Sequence, residues 1–316
     1  MAIRTVAVVG ASGNIGSQAT KALLEAGFTV TAITRPDSKS TFPENVEVRR
    51  ANPASVEELT AALQGQDAVV SAAATNVAAA GEGQDTLIDA AVAAGVKRFL
   101  PSEFGHAHHR FPDEEILGKL LGGKVRTLQY VQKKAEENHG FTWTGIGTSY
   151  FFDWGLEVEH MSKISPEFDV GMLGFNIPER KATIFDSGNE IWSATSLPFI
   201  GRAVAAVLLH EEETKNRFID VVEFQTSQNQ VLAALEDALD VKFTVTRADT
   251  AETERTGHEK LAKGDPGSFL DFLRVWAFRD GRNDAVPDEE TANKLLGLPE
   301  PSHDVREAIR EFVKPK

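Results

Sequence analysis

Proton transfer needs a titratable side chain kept out of bulk water, and one predicted helix, Lys119 to Glu137, carries two amines that invite the question: Lys124 and Lys134. On a wheel of about 100° per residue with Lys124 at the origin, Leu121, Val125, Leu128, Val131 and Ala135 cluster around roughly 30°. Lys124 lies inside that apolar stripe. A buried ammonium is costly unless it is paired, reaches water along its own stem, or does chemistry. Tyr130 and Lys134 fall on the order of 110–150° from the stripe's centre, where a phenol and an amine are readily solvated surface groups. Lys124 stands near the helix start, so escape of its head to water is the competing reading. Gly122 and Gly123 directly before it weaken a helix interior and offer an alternative start.

A second group of residues addresses what such an amine would act with. Gly10-Ala-Ser-Gly-Asn-Ile-Gly16 follows an apolar strand, Thr5 to Val9, and a helix opens inside it at Asn14. Gly10, Gly13 and Gly16 allow a tight turn and close backbone approach, while the helix start at Ser12, Asn14 and Ile15 offers N–H groups to a pyrophosphate. The pattern predicts a dinucleotide site. An NAD site carries an acid at the end of the second strand, but here the strand closes on Thr34-Arg35, with Lys39 just beyond. Arg35 and Lys39 can pair a 2′-phosphate, which predicts NADPH as cofactor, although Asp37 opposes that charge and a solvated basic loop is the alternative. Ser71-Ala-Ala-Ala-Thr75-Asn76 ends the fourth strand. Ala73 and Ala74 there would let a cofactor pass close to the backbone, though core packing also explains them. Ser102, closing the fifth strand, is a further candidate contact.

The elements that must position these residues alternate. Strands at 5–9, 28–33, 46–49, 67–71, 98–100 and 141–146 are separated by helices at 14–26, 54–63, 85–94 and 119–137. That series predicts an α/β fold, a Rossmann-type doubly wound parallel sheet that binds ligands beyond its strands' carboxyl ends. After Thr148 the pattern gives way to aromatic-rich segments, which predict a smaller α+β substrate domain over the sheet's open end. The expected division is 1–150, plus about 195–222, for the dinucleotide, and 151–194 with 223–316 for the substrate. Phe151, Phe152 and Trp154 are candidates for an aromatic substrate wall or for core. The last helices are expected at 289–296 and 302–313.

Composition narrows the classes. The 316 residues contain no cysteine, which excludes disulfides and thiolate chemistry. A net charge of −14 argues against a nucleic-acid partner. The absence of an apolar run of roughly 18 residues, with a first segment that runs straight into a strand, leads us to expect a cytoplasmic protein without a membrane partner. His106-Ala-His-His109 suggests metal by residue type. No second cluster accompanies it, so we expect no metal and assign His106 to the substrate mouth. An oligomer is possible but not indicated.

Together, Gly10 to Gly16, Arg35, Lys97-Arg-Phe-Leu-Pro-Ser-Glu-Phe-Gly105, and Lys124 followed by Val131-Gln132 resemble the NmrA-like, isoflavone-reductase-like branch of the atypical short-chain dehydrogenase/reductases. The resemblance implies a Rossmann-type domain with a smaller substrate domain and NADPH. It also implies a lysine general acid/base after the Pro-Ser-Glu-Phe-Gly loop, which maps to Lys124, and reduction of an aromatic or conjugated small molecule. The histidines at 106–109 depart from the acidic residues of that family and put the substrate class in question. Tyr130-Val-Gln-Lys-Lys134 also matches the Tyr-x-x-x-Lys of ordinary short-chain dehydrogenases, with Ser102 as the upstream serine. Two other functions fit the same fold: an NADP(H)-sensing regulator that binds a partner protein without turnover, and an isomerase or dehydratase.

Overall fold

Val6, Ala7 and Val8 of strand β1 (Thr5–Val9) are fully buried on both faces, as a central parallel strand requires. The computed structural model describes residues 2–74, 78, 82–107, 116–164 and 168–314. The chain continues through α1 (Asn14–Glu25), β2 (Thr29–Thr34), β3 (Glu47–Arg50), α2 (Val56–Leu63), β4 (Ala68–Ser71), α3 (Glu82–Ala93), β5 (Arg98–Leu100), α4 (Ile116–Leu120), α5 (Gly122–Glu137) and β6 (Thr142–Gly147). There follow β7 (Tyr150–Phe151), α6 (Phe152–Leu156), α7 (Val158–Ser162), β8 (Phe175–Asn176), β9 (Lys181–Phe185), β10 (Trp192–Thr195), α8 (Leu197–Leu209), α9 (Glu211–Thr214) and β11 (Arg217–Asp220). Last come β12 (Phe224–Thr226), α10 (Gln228–Leu239), β13 (Thr244–Ala248), α11 (Thr250–Ala262), α12 (Gly267–Phe278) and α13 (Arg306–Phe312).

The chain divides into two compact units. One holds residues 1–148, 197–221 and 292–298, and the other 149–196, 222–291 and 299–316. In the first, seven strands form a parallel sheet in the order β11-β6-β5-β4-β1-β2-β3. The order reverses between β1 and β4, the crevice where open α/β sheets take their ligands. Leu63 of α2, Ile88 of α3, Phe99 of β5 and Val131 of α5 meet in the core, and α1 packs along α8. Arg98 is buried within this unit. It donates to the hydroxyls of Thr142 (2.8 Å), Thr144 and Thr214 (3.0 Å each) and to the Glu211 carbonyl, tying β5 and β6 to α9. The second unit carries two small mixed sheets, β12-β10-β7 and β13-β9-β8.

Three helices differ from the sequence expectation. The run 119–137 is not one helix: it breaks at Leu121, which caps α5 with φ −96° and ψ 10°. The glycine pair at 122–123 disfavours continuation there. The wheel's phase holds from Gly122 onward, but Leu121 is not part of that helix. Residues 289–296 form no α-helix. A short 3₁₀ turn, Asp288–Glu290, precedes Ala292, whose amide donates to the Asp220 carbonyl at 2.8 Å, so pairing at the end of β11 overrides local propensity. The last helix starts at Arg306 rather than 302, because Gln225 and Glu223 on and before β12 pair with Ser302 instead. Among the described residues no helix is long and apolar enough to cross a membrane.

Candidate active site

The glycines of the turn have different causes. Gly10 takes φ +79°, and a Cβ there would stand 2.5 Å from the Ala72 carbonyl oxygen at the end of β4. At Gly16 a Cβ would lie 2.1 Å from the Gly10 carbonyl, so α1 can approach the turn only without a side chain. Gly13, by contrast, is exposed and caps α1 without a side-chain hydrogen bond. The first-turn amides of α1 are therefore left to an outside acceptor, and the helix dipole favours an anionic one. Ser12 and Asn14 are exposed and Ile15 half-buried beside them.

Arg35 and Lys39 are both exposed on the loop after β2. Sequence reasoning missed what shapes this loop. One guanidinium nitrogen of Arg50, at the end of β3, donates to the carbonyls of Arg35 (3.1 Å), Pro36 (3.1 Å) and Ser38 (2.9 Å). Ser40 then donates its hydroxyl to that of Ser12 at 3.0 Å, joining the loop to the glycine turn. An uncapped helix start, a backbone cleared of side chains and two exposed cations at the end of β2 fit a dinucleotide phosphate and a second phosphate on its ribose. Ala73 is half-buried and Ala74 exposed, while Ser102 is buried, its hydroxyl donating to the Ala73 carbonyl at 2.9 Å.

Lys124 lies in the first turn of α5. Its amine donates to the main-chain carbonyl of Glu103, in the loop after β5. Part of the side-chain surface stays open, yet protein atoms crowd the amine, and this burial pulls its pKa below the usual 10.5 while the Glu103 charge acts to raise it. Glu103 itself is 2% exposed, and neither carboxylate oxygen has a hydrogen-bond partner among the described residues. Burial pushes that carboxyl up to about 7, against the pull of the Lys124 charge.

The rival pair is arranged otherwise. The Tyr130 phenol donates to Asp89 of α3 at 2.8 Å, and Lys134 pairs with the same carboxylate oxygen at 2.6 Å. Burial and the Asp89 bond raise the Tyr130 pKa, the reverse of what a proton donor needs. Ser102 bonds to Ala73 rather than to Tyr130, so the Ser/Tyr/Lys set is not brought together.

Other candidates separate by burial. Phe152 is 2% exposed and packs on Phe224 at 4.9 Å, which makes it core of its own unit rather than a substrate wall. Phe151 and Trp154 are half-buried and meet edge to face at 6.3 Å. His160, which sequence reasoning did not single out, stacks on Trp154 at 5.0 Å and pairs with Glu157 at 2.7 Å. A single histidine in the polar stretch Glu157 to His160 carries no pattern that could have flagged it. His106 is half-buried; His108, His109, Thr75 and Asn76 lie outside the described residues. Among the described residues no group of three or more His, Cys, Asp or Glu side chains could hold a metal.

Known proteins share this layout. The chain is 35% identical over 312 residues to the oxidoreductase aprR of Aspergillus flavus, covering 98% of each. The structure of AtPrR2 with NADP+ and (+)pinoresinol superposes with a TM-score of 0.77 at 20% identity, covering 99% of both chains. Leucoanthocyanidin reductase with NADPH from Vitis vinifera does so with 0.75 at 20% identity, covering 98% of this chain and all of that one (100%). The NmrA-like family model matches residues 3–256. On that match, and on a relative of such identity along nearly its whole length, the chain belongs to the NmrA-like family.

Proposed function

We propose that this protein is an NADPH-dependent reductase of an aromatic or conjugated small molecule, with Lys124 as general acid/base. The observation that carries the reading is the Lys124 amine: held on a main-chain carbonyl, crowded by protein, and lowered in pKa by burial. A surface lysine has no cause for the last two. The oxidoreductase aprR, alike along the whole chain, supports the reaction type, and the fold shared with a protein solved with (+)pinoresinol agrees with the substrate class.

In this reading the first-turn amides of α1, with Gly10, Gly13 and Gly16, take the pyrophosphate, and Arg35 and Lys39 take the ribose phosphate. NADPH, when bound, supplies a hydride. Lys124 holds a proton on its amine and passes it to the substrate oxygen, while the Glu103 carbonyl keeps the amine from swinging away. Reduction needs the ammonium form, so the rate falls as pH rises through the lowered Lys124 pKa.

The test is cofactor consumption with a panel of phenolic and conjugated compounds by the wild type and Lys124→Ala. Full turnover by the variant would overturn the assignment. Cofactor choice is tested separately: Arg35→Ala should weaken NADPH binding about tenfold and leave NADH unchanged. Equal dissociation constants for the two cofactors in the wild type would rule out the 2′-phosphate role.

A further inference from the structure

Glu103 stands in the loop after β5 with a carboxyl that is enclosed and has no donor among the described residues, although a buried carboxyl normally takes one. What the residue does have is Lys124, whose amine is bonded to its main-chain carbonyl. The amine is thus moored to the very residue that carries a counter-charge. The titratable groups nearest along the chain are exposed Lys119 on α4, exposed Arg126 on α5 and half-buried His106 in the loop. The carboxylate makes no hydrogen bond to the amine, so the two charges act on each other through space, across the one residue that holds both carbonyl and carboxyl.

We propose that Glu103 is a positioning residue that sets the charge state of Lys124, its carbonyl mooring the amine and its enclosed carboxylate keeping that amine protonated to higher pH. The inference rests on the reading of Lys124 as the proton-transferring group. The sign follows from electrostatics. Burial alone favours the neutral amine, and a carboxylate beside it favours the ammonium. Remove the carboxylate and the ammonium loses its counter-charge, so it gives up its proton at lower pH. The two groups titrate as a coupled pair, and the proton each loses goes to solvent. The sequence motif hides this role, because a glutamate in a Pro-Ser-Glu-Phe-Gly loop reads equally well as a surface residue.

The experiment follows the Lys124 side chain directly. Protein labelled with 13C at the lysine ε-carbon is titrated by NMR, the Lys124 resonance being assigned by its loss in Lys124→Arg. Glu103→Gln should titrate about one pH unit or more below the wild type. Glu103→Asp, with the carboxylate withdrawn by one methylene, should fall between them. Melting temperature and NADPH fluorescence quenching establish that each variant is folded. An unchanged midpoint in folded Glu103→Gln would overturn the proposal; should that variant not fold, an unchanged midpoint in Glu103→Asp would do so. The titration needs no turnover, so it is separable from the catalytic reading. A shifted midpoint alongside full activity of Lys124→Ala would uphold the coupling and reject the catalysis.

Discussion

Lys124 and Lys134 share helix α5, and their surroundings divide them. Lys134 pairs with Asp89 at 2.6 Å, lies 5.0 Å from the centre of the Tyr130 ring, and has its pKa raised, first by the Asp89 hydrogen bond. Lys124 is bonded to a neutral carbonyl, and burial lowers its pKa. The lesson is that a hydrogen-bonded ionic partner locks a lysine in its charged form, while burial on a neutral acceptor loosens the proton, a loosening that the Glu103 charge opposes.

That contrast can be broken by mutation. Lys124→Ala should lower kcat by roughly 10²–10⁴ with little change in NADPH affinity, whereas Lys134→Ala should change kcat less than about twofold. Steady-state kinetics with a common substrate decides between them, and equal losses would erase the distinction.

The carboxylates sharpen it through stability. A folded pKa of about 7 against an ordinary 4.5 means that native Glu103 binds its proton more tightly than the unfolded chain does. Its contribution is therefore intact below about 4.5 and is lost as pH rises through about 7. Glu103→Gln should then raise the unfolding free energy near about pH 8 by on the order of 1–3 kcal/mol, read by denaturant titration, with the gain vanishing near about pH 4.5. Asp89→Asn should do the opposite, costing less than about 1 kcal/mol, because its partners are partly solvated.

The smallest expected effect belongs to Tyr130→Phe. Losing the bond to Asp89 should cost about 0.5–1.5 kcal/mol in stability and leave kcat within about twofold. A large kcat loss would return the Tyr-x-x-x-Lys pair to consideration.

Much of this was legible in the residue string, because it rests on local pattern. The strand before Gly10, the helix after it and the alternation that builds the parallel sheet are short-range signals. The phase of Lys124 on α5 also follows from spacing alone. What escaped depends on distant partners. Arg50 grips carbonyls of the preceding loop, Ala292 forsakes a helix for Asp220, and the enclosure of the Glu103 carboxyl comes from three-dimensional packing. Periodicity reports which face of an element is apolar, and it is silent on what the opposite wall supplies.

The grip of Arg50 has an engineering consequence. It takes hold of main-chain oxygens, which every residue type possesses, so this grip does not depend on the side chains at 35 and 39. On the proposed reading of Arg35 and Lys39, cofactor preference and this hold on the loop are separate inheritances. The letters at 35 and 39 should then be open to rewriting toward an unphosphorylated ribose while the grip of Arg50 persists.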